Sequence, residues 1–224
     1  MSSYKADALV IRSREYKEAD RLITLYSREY GKISAVAKGV RKATSKQRGG
    51  VQLYTYADFM LYKGRSLDTV QQAHPREVFL YLWDDYERAC GAACMAELLD
   101  AATPDGEPDE RAFLLSLKFL FMLEMLDPAV AVTAYGVRLM ACLGELGQVE
   151  SDEKGSLGAM TEGTRNVLRQ LQVMPWERME RLRLSVAQHG EMFRVLRVFC
   201  ENKAERKLSA WRSFEEVNKA WQRC

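Results

Sequence analysis

The chain has 224 residues, of which 47% are hydrophobic, and a formal net charge of +2 at pH 7. That is enough apolar material for one large or two modest packed domains, and it excludes wholesale disorder. No stretch reaches the roughly 18–20 apolar residues of a membrane helix, and the opening Met1–Asp7 has no apolar signal core, so the expected compartment is the cytosol.

The near-neutral charge conceals a gradient. Residues 1–75 hold 14 Lys/Arg and 7 Asp/Glu, a net of +7, whereas the remainder holds 19 and 24, a net of −5. A basic front on an acidic back points to a polyanion partner for the front.

In chain order, the first 75 residues have strand character. Ala8–Ile11 is a short apolar run, Arg21–Tyr26 mixes β-branched and apolar residues, and Ile33–Ala37 resumes after a turn at Tyr30-Gly31-Lys32. Val51–Tyr62 alternates, with Val51, Leu53, Thr55, Ala57, Phe59 and Leu61 on one side, which predicts a single long half-buried strand. Lys63–Ser66 reads as a hairpin loop, and Leu67–Ala73 returns until His74-Pro75 ends the segment. Five strands in this length suit a small closed barrel such as the OB-fold.

Beyond Pro75 the period changes to about 3.6. Val78, Phe79, Leu82, Tyr86, Ala89, Ala93, Ala96 and Leu99 predict one long helix, and a second runs to about Leu126 after a loop at Thr103–Asp109. Asp127-Pro128 is an N-cap followed by proline at the first helical position, opening a third helix to about Leu146. Gly147–Gly158 is a polar loop, Thr161 caps a helix to Leu171, and Pro175 opens a short one. His189–Lys203 is helical, and Ser213 with Glu216 has capping-box spacing for a last helix. The expected class is therefore α+β, with an OB-fold barrel over 1–75 and an all-α domain over 76–224.

The sharpest functional feature is the segment from Lys32 to Arg48. It holds Lys32, Lys38, Arg41, Lys42, Lys46 and Arg48 and no acid, and its glycines suggest a flexible loop. Uncompensated cations repel one another and call for a counter-anion, of which a phosphate backbone is the usual one. Arg14, Lys63 and Arg65 are candidates to assist. Seven of the ten tyrosines lie in the same 75 residues; Tyr54 and Tyr56 are candidate stacking platforms on the outward face, where each stack contributes about 1–3 kcal/mol. The plainer readings are a solvated charged face and tyrosines that cover the sheet.

Chemistry of other kinds finds no constellation. Cys90 and Cys94 stand four apart on a helix beside Ala89, Ala92, Ala93 and Ala96, which reads as small-residue packing rather than a zinc pair. Neither histidine lies in a ligand pattern, and no phosphate-binding loop or nucleophile elbow is present. No catalytic residue, metal or cofactor is expected.

Ala8–Leu22 and, more specifically, Thr24–Arg41 (TLYSREYGKISAVAKGVR) resemble the opening of the bacterial RecO family. Weaker matches follow at Leu53–Tyr62, Met95–Asp100 and Tyr135–Gly144, and Arg206–Ser209 is similar to the family's C-terminal basic signature. The resemblance implies an N-terminal OB-fold, a helical C-terminal domain, and binding and annealing of single- and double-stranded DNA. It also implies action with RecR on DNA coated by single-strand binding protein (SSB), indirect delivery of RecA, and a nucleoid-associated life in the bacterial cytoplasm. Many members carry a four-cysteine zinc site from the position of Gly144 onward; Gly147–Gly163 contains no cysteine, so structural zinc is not expected here. For the acidic, apolar SSB C-terminal tail, Arg138 beside Leu139 and Met140 is the candidate groove, against an ordinary helix-surface arginine. The rival reading is a non-enzymatic scaffold whose basic loop meets an acidic protein surface.

Overall fold

The computed structural model describes residues 2–147 and 160–221. The first strands are β1 (Ser3–Tyr16), β2 (Asp20–Ser27), β3 (Gly31–Ala37), β4 (Tyr56–Tyr62) and β5 (Asp68–Glu77). They close into a barrel in the order β1-β2-β3-β5-β4, antiparallel throughout except for a short parallel seam between β3 and β5. This is the OB-fold expected from the sequence. Its interior is lined by Ala6, Ala8, Ala35, Ala37, Ala57 and Ala73 among larger residues such as Ile23, Leu25, Phe59 and Leu61. A barrel this narrow needs small side chains wherever large ones cross it.

Three strand expectations change. β1 is far longer than its apolar run, because one half pairs with β4 (Ser3–Leu9) and the other with β2 (Ala8–Tyr16), with a bulge between Val10 and Arg12. β4 is shorter than its alternation: Tyr54 sits in the left-handed region (φ 65°), which interrupts a strand, and pairing starts only at Tyr56. β5 does not end at Pro75. It runs on to Glu77, with a register irregularity between Tyr56 and Ala57 on the partner strand, the kind of bulge where a strand tolerates proline. Gly31, the turn glycine, adopts φ +64°, and a Cβ there would lie 2.2 Å from the Glu107 carbonyl oxygen, so no other residue fits.

The helices are α1 (Tyr81–Asp84), α2 (Tyr86–Ala102), α3 (Glu110–Leu123), α4 (Pro128–Cys142), α5 (Glu162–Val173), α6 (Trp176–Met179), α7 (Val186–Ala204) and α8 (Ser209–Trp221). The single helix expected from Val78 is two, because the Asp85 carboxylate accepts from Arg88 N–H (2.9 Å) and starts α2 afresh. Asp127 caps α4 through Val130 N–H (3.1 Å) with Pro128 at its start, and Thr161 caps α5, both as expected. The cap expected at Ser213 is inside α8 instead. The start of α8 is capped from a distance by Glu97, which accepts from the backbone N–H groups of Ser209 (2.9 Å) and Ala210 (2.8 Å). Trp211 donates to the Cys94 carbonyl (3.0 Å) and stacks 4.1 Å from Phe193, which anchors the same helix in the core.

The chain forms two compact units, residues 1–80 with 103–117, and residues 81–102 with 118–224. The segment Thr103–Leu117 thus belongs with the barrel rather than with the helical remainder. Most of the polar loop expected at Gly147–Gly158 lies outside the described residues.

Candidate nucleic-acid interface

The connection between β3 and β4 carries most of the candidate cations, and it is pinned rather than loose. Gly39 N–H donates to Asp20 Oδ1 (2.8 Å) and Arg41 N–H to the Ala19 carbonyl (3.0 Å), which ties its start to the β1–β2 hairpin. Its end is held by Tyr54 N–H to the Val10 carbonyl (2.8 Å). Between these anchors, turns such as Ser45 N–H to Lys42 O (3.0 Å) fold it back on itself, and the Gln47 amide donates to the Gln71 carbonyl. Val40 and Val51, each 2% exposed, point into the barrel core and plug its end. The expectation of a flexible loop is therefore corrected: two buried valines and a set of backbone bonds fix the segment, and the polar residues between them are left on the surface.

The six expected cations divide into two groups. Lys32 lies on β3, nearly buried, and pairs with Asp105 at 3.0 Å. Arg41 pairs with Glu15 at 2.9 Å and donates to the Glu18 carbonyl at 3.2 Å. These two are not uncompensated, because the fold brings acids to them from distant positions or from the neighbouring hairpin. Lys38, Lys42, Lys46 and Arg48 are all exposed, and among the described residues none has a carboxylate within ion-pair distance. Arg14 is exposed on β1 opposite Leu22, beside the hairpin that anchors the segment.

The remaining candidates are placed differently. Lys63 and Arg65 sit in the β4–β5 loop, which the buried Asp68 organises by accepting from Gly64 N–H (3.0 Å), Tyr4 O–H and the Lys63 ammonium (3.4 Å). Burial, then the Asp68 carboxylate, pushes the Tyr4 hydroxyl pKa up. Arg65 is exposed. Tyr56 is engaged within its own unit: its hydroxyl donates to Asp7 (3.1 Å) and accepts from Arg76 (2.9 Å), and its ring meets Phe113 edge-on at 6.0 Å. Burial first, and then the Asp7 carboxylate, raises its pKa. Tyr54 is half-buried. The more open aromatic rings of the barrel are Tyr30 (42% exposed) and Tyr62 (38%). Tyr62 is the last outward residue of the very alternation that nominated Tyr54 and Tyr56, so the sequence held its signal.

A cavity of about 630 Å³ lies beside Tyr4, Tyr30, Lys32 and Lys63, but Glu29, Asp68 and Asp105 line it too. Three carboxylates against two cations make a poor phosphate site.

In the helical unit, the expected groove at Arg138 is corrected. Leu139 and Met140 are fully buried in the core. The Arg138 guanidinium donates to the carbonyls of Leu171 (2.9 Å) and Met174 at the end of α5, and lies 4.0 Å over the Trp176 ring. Its donors satisfy the open carbonyls of a helix end, so it is a structural arginine rather than the lip of a groove. Among the described residues no cysteine is in a disulfide, and burial pushes the Cys200 thiol up to about 12.

The fold defines the class: an OB-type barrel with a cation-bearing end, followed by helices. Residues 1–79 match the family described as Recombination protein O N terminal, and residues 84–151 match Recombination protein O C terminal. A DNA repair protein RecO of Desulfitobacterium hafniense (strain DSM 10664 / DCB-2) is 43% identical over 242 residues, covering 94% of this chain and 89% of its own. One from Moorella thermoacetica is 27% identical over 243 residues, covering 96% and 91%. One from Pelotomaculum thermopropionicum is 46% identical over 144 residues, covering 64% and 56%. This chain belongs to the RecO family.

Proposed function

We propose that this chain is a non-enzymatic recombination mediator of DNA repair that holds DNA on the exposed cations of its barrel. The observation that carries the reading is the set Lys38, Lys42, Lys46 and Arg48, exposed, without carboxylate partners among the described residues, and borne on a pinned segment. Cations held in place against a strand release its condensed counterions, and this supplies sequence-independent affinity for single- and double-stranded DNA. Screening the mutual repulsion of two strands lets them approach and anneal. Arg14 and Arg65 extend the cationic surface, and Tyr54 contributes stacking at its edge. The names of the relatives support a role in DNA repair. Within that role the partners proposed are RecR, SSB through its C-terminal tail, and RecA indirectly, in the bacterial cytoplasm.

The test is the salt dependence of binding. Replacing Lys38, Lys42, Lys46 and Arg48 together by alanine is expected to reduce the log–log salt slope by about 3–4 on duplex DNA and to weaken binding about a hundredfold at moderate salt. An unchanged slope would remove this segment as the site. DNA incubated with the protein and magnesium is expected to stay intact, and cleavage would overturn the non-enzymatic reading.

A further inference from the structure

The link from α2 to α3, together with the first residue of α3, is an acidic strap laid on the barrel. Residues 103–110 hold Asp105, Glu107, Asp109 and Glu110 and no cation, and they belong to the same compact unit as the strands. The strap's backbone follows the β2–β3 turn. Lys32 and Asp105 form a parallel bridge, Gly106 N–H donates to the Lys32 carbonyl (3.2 Å), and Gly31 leaves no room for a Cβ beside the Glu107 carbonyl. Just beyond it, the buried Phe113 ring meets Tyr56 at 6.0 Å. Backbone and apolar contacts therefore dock the strap without help from its charges.

Those charges go to two cations of the barrel. Arg28 Nε donates to Glu110 (2.7 Å), and Lys32 Nζ lies 3.0 Å from Asp105. The Glu110 and Asp105 side chains are 53% and 86% exposed, and pairs so open to water add little to folding. Their larger effect is on the surface potential. In the β2–β3 turn and the β4–β5 loop, Arg28, Lys32, Lys63 and Arg65 outnumber Glu29 and Asp68, while Lys5 and Asp7 at the start of β1 cancel. The strap brings four acids to this end, and Arg111, 3.2 Å from Asp109, offsets one of them. A cationic end of the barrel thus becomes a slightly acidic one.

The strap lies at the start of β3, whereas residues 38–48 follow its other end, about 20 Å away along a seven-residue strand. We propose, resting on the DNA reading above, that the strap is a built-in phosphate mimic. Glu110 and Asp105 occupy Arg28 and Lys32 as the phosphates of a strand would. Fixed carboxylates repel a polyanion, so they keep bound DNA on the β3–β4 connection and off the β2–β3 turn.

Asp105→Asn with Glu110→Gln, made in the full chain, tests this, because the backbone docking is retained. Anisotropy titrations of a labelled oligothymidine over a range of salt are expected to show binding about three- to fivefold tighter. The salt slope is expected to steepen by about 0.7, the share of one phosphate contact on a single strand. Glu110→Gln alone, which alters only an exposed pair, is expected to give the part of this gain that Arg28 carries. Arg28→Ala is expected to leave the native chain's affinity nearly unchanged and to cancel most of the gain in the strap variant. Asp84→Asn with Glu124→Gln removes the same charge from exposed positions of the helical unit and is expected to change affinity by less than about twofold. No gain from either strap variant would overturn the proposal. So would an equal gain from the helical-unit control, or a gain that survives Arg28→Ala in full, since net charge alone would then be the cause. Failure of the DNA reading itself looks different: it is an unchanged slope when Lys38, Lys42, Lys46 and Arg48 are replaced.

Discussion

Two stretches of this chain carry five cations each and behave oppositely in structure. Residues 38–48 carry Lys38, Arg41, Lys42, Lys46 and Arg48; residues 197–212 carry Arg197, Lys203, Arg206, Lys207 and Arg212. In the second stretch every one of these cations faces an acid. Arg206 meets Asp100 at 2.6 Å, Lys203 meets Glu145 at 2.5 Å, and Lys207, Arg197 and Arg212 gather within 3.5–3.9 Å of the buried Glu201. In the first stretch, among the described residues, only Arg41 does so. The run that is similar to the family's C-terminal basic signature is thus internal mortar that closes the α7–α8 turn, and the barrel run is an outward surface. Cation density along a chain is no guide to polyanion binding until the fold shows which carboxylates come to meet the cations.

Glu201 gives the largest test of this contrast. It is 8% exposed, accepts from Leu208 N–H (3.0 Å) and lies within ion-pair distance of three cations. Glu201→Ala would leave those cations and a backbone donor facing a hole, at a cost of about 3 kcal/mol of folding stability. Chemical denaturation checks this. DNA affinity of the folded variant is expected to be unchanged; a drop comparable to that of the barrel variants would mean that the second stretch also binds DNA.

A smaller loss tests whether the barrel segment is pinned. A Cβ on Gly50 would fall 2.7 Å from the Ala73 carbonyl oxygen and 2.8 Å from its Cβ, whereas Gly49 next to it has open space. Gly50→Ala is expected to cost about 2 kcal/mol by overpacking and to lower DNA affinity by displacing the cations, with Gly49→Ala as a near-neutral control. Equal stability of the two variants would return the segment to a loose loop.

The contrast also has a pH signature. Burial pushes the Glu201 carboxyl up, but Leu208 N–H and the Lys207 and Arg197 cations outweigh it, and its pKa lies below the ordinary value. Its contribution is therefore complete above the unfolded glutamate pKa of about 4.3 and is lost as pH falls through the lower folded value. The stability gap between the native chain and Glu201→Gln is expected to close in that acid window. A gap independent of pH would show that the ionised carboxylate is not what holds the turn.

Strand alternation and capping residues made the barrel and most helices legible in the sequence. Inward residues such as Ala57, Phe59 and Leu61 follow a period of two, and Asp127 and Thr161 cap helices within three residues of themselves. What escaped was set by contacts between distant positions. Glu97 caps α8 from 112 residues away. The acid on Lys32 comes from Asp105, and Arg138 is consumed by carbonyls of Leu171 and Met174. Tyr56 looked like a surface aromatic because nothing local shows that Asp7, Arg76 and Phe113 close around it. The cation cluster was visible as a run, but its division into paired and unpaired members was not.

The finest test lies inside the barrel segment, where partnered and unpartnered cations stand side by side. Arg41 is held by Glu15 at 2.9 Å, with that carboxylate 67% exposed, while the adjacent Lys42 has no acid partner among the described residues. An exposed pair of this kind contributes only about 0–1 kcal/mol to folding, so either member can be changed without unfolding the barrel. Lys42→Ala is expected to weaken DNA binding several-fold and to remove about one unit of salt slope, the share of one phosphate contact. Arg41→Ala is expected to do less, because Glu15 already screens that charge. Glu15→Gln is then the decisive variant: by releasing Arg41 toward the phosphates it is expected to tighten DNA binding about two- to threefold and to steepen the salt slope by somewhat less than one unit. Salt titrations of these single variants measure each effect directly. If Arg41→Ala and Lys42→Ala prove equal and Glu15→Gln changes nothing, local pairing does not decide which cations reach DNA, and the distinction between the two basic stretches loses its physical basis.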